Sequence, residues 1–173
     1  MKKYILTSLV LFAAIAANGQ VAIGKEDING SSTILDFYDG ADNFRGIILP
    51  AVESAPTDLT AANNGTFLFD TSDNKVKMFE NEIWIDLSEE GDDTNLQINS
   101  SDENNQEQGV IIGSETSEAK GVLVLESADK ALILPKIANP HTTVKSPYPG
   151  MMCYDTVSKS LAVFDGSVWN YWK

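Results

Sequence analysis

Gly65–Asp86 reads GTFLFDTSDNKVKMFENEIWID, and Gly150–Tyr171 reads GMMCYDTVSKSLAVFDGSVWNY. Each holds a Gly, an apolar run, Asp-Thr, a short polar turn, a second apolar run ending in Phe, a tight turn and a Trp. Upstream, Arg45–Val52 (RGIILPAV) matches Lys130–Ile137 (KALILPKI). One offset of 85 positions aligns Arg45–Asp86 with Lys130–Tyr171 without a gap. The chain therefore reads as a tandem duplication of a small β-rich unit.

Short runs of β-branched and aromatic residues bounded by turn residues read as strands. The end of each unit reads as a three-stranded antiparallel meander. In the second copy its strands are Met151–Tyr154, Ser160–Phe164 and Ser167–Tyr171. Asp155-Thr156 begins the first turn, with the Asp side chain set to accept backbone N–H groups. Asp165-Gly166 is a hairpin signal, since both positions tolerate positive φ; Glu80-Asn81 stands there in the first copy. Before each meander lie short strands, Thr33–Tyr38 and Ile47–Leu49 in one copy, Gly121–Leu125 and Leu132–Leu134 in the other. Val21–Gly24 and Val110–Gly113 open the two units. Pro50 and Pro135 cannot donate to a ladder and are expected to stop their strands or lie at an edge. Asp58–Ala62 suggests a short helical turn. No apolar stripe of helical period has convincing length. The expected fold is all-β: two tandem small β units, each with short strands followed by a three-stranded meander, joined by an acidic linker.

The division expected is a signal peptide at 1–19, a first repeat at 20–88, a linker at 89–108 and a second repeat at 109–173. Met1–Lys3 is basic, Tyr4–Ala17 is apolar but too short to span a bilayer, and Ala17-Asn18-Gly19 supplies small residues for cleavage before Gln20. The linker is dense in acids, Asn, Ser and Gln, with Leu96 and Ile98 its only apolar residues, alternating as a short edge strand would. The mature chain is expected to lack a transmembrane segment and to lie in the periplasm, on the outer cell surface or outside the cell.

The chain has 12 Lys+Arg against 25 Asp+Glu, a net charge of −13. Removing Lys2 and Lys3 leaves 10 against 25, or −15. Nucleic acid and anionic membrane would repel that surface. The single Cys, Cys153, allows no internal disulfide and reads as a buried, inert thiol. A unit of about 65 residues has a marginal core, so packing between units or self-association is expected.

Catalytic constellations are missing. His141 is the only His and reads as a solvated loop residue, leaving no Ser/His/Asp set. There is no Cys/His metal spacing and no phosphate-cradling glycine motif. Asp39–Asp42 and Glu89–Asp93 offer oxygens to Ca²⁺ but do not fit a ligating loop. No enzyme activity, cofactor or metal is expected. The candidate contact residues, for a partner or a glycan, are Trp84, Trp169, Tyr171 and Trp172 on the last strands. Trp84 and Trp169, each a hairpin away from Phe79 and Phe164, favour core or inter-unit packing. Trp172 has Leu87 as its counterpart.

The repeat resembles a β module of Bacteroidota secreted proteins and phage tail fibres. That pattern runs V-G-I-G, a Leu-Asp strand, K/R-G-hydrophobic-L-P, a loop, and G-hydrophobic-hydrophobic-Y-D/N-T ending in a W. Here it falls on Val21–Gly24, Leu35-Asp36, Arg45–Pro50 and Gly65–Trp84, and again on Val110–Gly113, Lys130–Pro135 and Gly150–Trp169. The pattern's usual Arg after the Pro is replaced by Ala51 and Lys136. The resemblance implies an exported structural or adhesive module acting through protein contacts, with a carbohydrate-binding module as the alternative.

Overall fold

The computed structural model of the chain describes residues 19–97, 109–119 and 121–173. The expected signal peptide up to residue 18, Ile98 and the second half of the expected linker lie outside the described residues. The first unit contributes β1 (Val21–Ile23), β2 (Thr33–Phe37), β3 (Ile47–Ile48), β4 (Ala51–Val52), β5 (Phe67–Asp70), β6 (Lys75–Glu80) and β7 (Ile83–Asp86). The second contributes β8 (Val110–Ile112), β9 (Leu123–Leu125), β10 (Ala131–Leu132), β11 (Lys136–Ile137), β12 (Met151–Asp155), β13 (Ser160–Phe164) and β14 (Trp169–Trp172). The two series correspond strand for strand. Helical structure among the described residues is a 3₁₀ turn at Ala61–Asn63 and one helical turn, α1, at Pro140–Thr143. The fold is all-β.

Each unit ends in a four-stranded sheet. The meander β5–β6–β7 is antiparallel, and β4 joins it in parallel beside β5. In the second unit β11, β12, β13 and β14 repeat this arrangement. The fourth strand was not expected from the sequence. β3 ends before Pro50, as expected, and after it Ala51 and Val52 pair with the unit's own meander as an edge strand. The Pro50 carbonyl accepts the Phe69 N–H at 2.9 Å, and the Pro135 carbonyl accepts that of Tyr154 at 2.9 Å. A residue without a donor can still supply an acceptor, and that suffices here.

The first meander turn forms as its Asp-Thr dipeptide predicts. Asp70 accepts from the Ser72 N–H (2.9 Å) and hydroxyl (2.6 Å), and also from the Ala55 N–H in the preceding loop (3.1 Å). Its counterpart Asp155 accepts from the Val157 N–H, the Ser158 hydroxyl and the Asn139 N–H. One carboxylate thus closes the turn and ties down the loop. Both are almost fully buried. The corresponding Asn74 and Lys159 complete these turns at φ 55° and 57°.

The second turns differ from expectation. In the first unit the residues with positive φ are Asn81 (51°) and Glu82 (62°), so the turn lies one position later than Glu80-Asn81. In the second unit Asp165-Gly166 does not form a two-residue hairpin. The connection spans Asp165–Val168, and the Asp165 carboxylate accepts the N–H groups of Ser167 (2.8 Å) and Val168 (2.7 Å). Only Gly166 there takes positive φ, at 101°.

Strand alternation gives each meander two apolar faces. One face of each joins a shared core between the units: Phe69, Val76 and Leu87 from the first, Met152 and Val163 from the second, with Leu49 between. The other face of the second unit packs Ile137, Cys153 and Ala162 beneath Val144 and Trp169. Cys153 is fully buried, and burial with the nearby Asp155 charge pushes its thiol up to about 12, which keeps it unreactive at neutral pH.

The start of the acidic connection runs against both units. The Gly91 N–H donates to the Asn74 carbonyl, the Asp92 N–H to the Asp165 carbonyl, and the Gln97 N–H to the Tyr148 hydroxyl. Leu96 lies in no strand and packs on the shared core.

Candidate interaction surface

The four aromatic candidates do not form one platform. Trp84 is half-buried, meets Phe79 edge to face at 5.2 Å between ring centroids, and donates its indole N–H to the Pro56 carbonyl at 2.9 Å. Trp169 is half-buried against Phe164 at 5.5 Å, on the outer face of its sheet. Tyr171 shares that face by alternation, and its hydroxyl lies 3.0 Å from His141 Nδ1. His141, expected in open solvent, therefore has a partner, although its side chain stays exposed. Burial pushes the Tyr171 phenol above its ordinary pKa, with Asp155 adding to the effect.

Trp172 points the other way, toward the first unit. Its indole N–H donates to the Leu87 carbonyl at 2.6 Å. With Leu87, Ser88 and Asn170 it borders an open cleft of about 550 Å³ along the seam between the units. Trp172 stays 44% exposed, so its ring offers a face to solvent beside that seam.

The strands before the meanders hold the feature that single-strand patterns do not reveal. The third strands, β3 and β10, pair between units. β10 of the second unit lies parallel to β2 of the first, with Leu132 beside Leu35. β3 of the first unit lies antiparallel to β12 of the second, with Ile47 beside Met152. The result on the first side is a three-stranded sheet, β1–β2–β10, whose central strand buries Ile34 and Leu35. On the second side, among the described residues, β8 and β9 form a sheet of two strands only. There Val110, Val122 and Leu123 are 61%, 68% and 47% exposed. Sequence reasoning missed this surface because it paired neighbours along the chain. The signal was present in the near-identity of Ile47-Ile-Leu49 and Leu132-Ile-Leu134, which makes their partners exchangeable.

Electrostatics reinforce the closed side. Asp36, in the centre of β2, is buried and ion-paired to Lys25 at 2.6 Å. Burial pushes its carboxyl up, but the Lys25 bond and the N–H groups of Asn29 and Phe37 outweigh this and hold it below the usual range. The structural counterpart of Asp36 in the open sheet is Val124. Among the described residues no cluster of three or more His, Cys, Asp or Glu could hold a metal ion, and no helix is long and apolar enough to cross a membrane.

Residues 111–173, which run from β8 to the last residue and so include the open sheet, match the family model of a phage tail-like trimerisation region. No curated protein and no solved structure matches the chain. The second unit is thus similar to a structural module of protein assembly, one defined by self-association rather than catalysis.

Proposed function

We propose that this protein is an exported, non-catalytic structural module that works by associating with copies of itself, as one segment of a fibre-like or surface assembly of a Bacteroidota-type cell. The observation that carries the reading is the unfinished two-stranded sheet β8–β9, lying within the segment similar to a trimerisation region. A two-stranded sheet is marginal in water, and parallel strands are normally covered on both faces. The leader at 1–19, the repeats at 20–88 and 109–173 and the linker at 89–108 belong to this proposal, as does export. The exposed face of Trp172, with Tyr171, Trp169 and Trp84 on other faces, is available to a protein partner. A glycan site is the weaker reading, since the aromatics are split between faces and their polar tips already bond to Leu87, His141 and Pro56.

Light scattering on the eluted mature chain tests the proposal. A mass of three chains supports it, and a single-chain mass at all accessible concentrations overturns it.

A further inference from the structure

The two units are alike, yet equivalent residues have opposite fates. β1 pairs β2 with Val21 beside Leu35, and β8 pairs β9 with Val110 beside Leu123, so Leu35 and Leu123 are equivalent. Leu35 is 1% exposed and Leu123 47%; Ile34 is 2% exposed and its equivalent Val122 68%. β10 pairs with β2 and, among the described strands, has no counterpart on β9.

The pairing between units is also not reciprocal. A two-fold relation would set β10 against β5, because β3 lies against β12. β10 lies against β2 instead. Such a relation is heterologous, and a heterologous contact repeats until it closes a ring or runs on as a fibre. In it, each third strand belongs between the second strand of one unit and the meander of the next. Among the described strands, β10 has only the former neighbour and β3 only the latter. Among the described strands, the Phe67 end of β5 has β6 on one side and none on the other, since β4 reaches only from Phe69 onward.

The geometry points to a second copy of this chain as the missing neighbour, docking its first unit on β9 and β10; this inference rests on the self-association proposed above. The incoming β3 lies parallel to β9, as β10 lies to β2, and the incoming β5 lies antiparallel to β10, as β12 lies to β3. Transferring the observed registers places Ile47 of the incoming copy beside Leu123, and its Phe67 beside Leu132. Val122 then meets Gly24 of the incoming copy, as Ile34 meets Gly113. At Gly113, where the Glu126 carbonyl already excludes a side chain, an added Cβ would lie 2.6 Å from Ile34 Cδ1, so the backbone there lies directly against Ile34. The interface within the chain is the template for the interface between chains. The segments that meet, Gly121–Leu125, Leu132–Leu134, Gly46–Leu49 and Phe67–Phe69, contain no charged residue, in a chain with 25 Asp+Glu. They join without bringing acid against acid.

Cysteine pairs test the register. Phe67→Cys and Leu132→Cys are made in separate chains, which are co-refolded and oxidised. Cys153 is buried and does not compete. The expected result is a covalent dimer of unlike chains, none when Val157→Cys replaces Leu132→Cys, and at least a tenfold weaker association for Val122→Lys with an unchanged circular dichroism spectrum. Were the wild type to assemble while the unlike chains stayed uncrosslinked and Val122→Lys assembled normally, this docking would be overturned and self-association would stand. A wild type that never assembles would overturn both.

Discussion

Trp172 donates its indole N–H to the carbonyl of Leu87, 85 positions upstream. That separation equals the repeat offset, so Trp172 at the end of β14 meets its own counterpart, the residue that follows β7. Like positions approach one another near the axis that relates two copies of a unit, and here Leu87 is buried while Trp172 covers the seam. Replacing Trp172 by Phe keeps an aromatic ring at the seam but removes the donor. A loss of about 1 kcal/mol is expected, the net worth of one such bond. Urea unfolding of the variant measures it, and an unchanged midpoint would mean that the bond contributes nothing.

The acidic connection holds the two units through glycine. A Cβ on Gly91 would lie 1.9 Å from the Asp165 carbonyl oxygen, and one on Gly166 would lie 1.7 Å from that of Asp92. These backbones cross too closely for any side chain. Gly91→Ala is expected to lower the melting temperature by several degrees, whereas Ala62→Gly, on an exposed turn, should shift it far less. Thermal melts compare them directly; equal effects would remove this crossing from the account.

Acid should weaken the fold through three buried carboxylates. Burial pushes Asp36, Asp70 and Asp155 up, but hydrogen bonds outweigh it, and each ends below its ordinary value. A carboxyl depressed in the folded state stabilises at pH above its unfolded value, about 3.9, and that contribution is lost as pH falls through the folded value. The melting temperature should be flat from pH 7 to about 5 and fall below about 4. Asp155→Asn should lower it at pH 7 and flatten the acid limb, which melts across pH would reveal.

Much of this architecture is legible in the chain. The 85-residue offset, the Asp-Thr turns and the apolar alternation specify two meanders, because those features act over a few residues. The turn at Asn81-Glu82 was displaced by one position, since Glu82 takes a positive φ that its residue type disfavours. The strands after Pro50 and Pro135 are only two residues long, too short for alternation to register. The exchange of β3 and β10 between units has no local cause at all. It follows from which edges remain open once both meanders have formed. Tyr171 and Trp172 were correctly placed on the last strand, but their opposite faces depend on register and on the neighbouring unit.

The central claim is that the β8–β9 sheet is completed by another copy. Hydrogen exchange of the concentrated mature protein, read by mass spectrometry, tests it most directly. The account predicts that amides of Val122–Leu125 exchange as slowly as those of their counterparts Ile34–Phe37. Exchange of Val122–Leu125 at the rate of open chain, with Ile34–Phe37 protected, would contradict it.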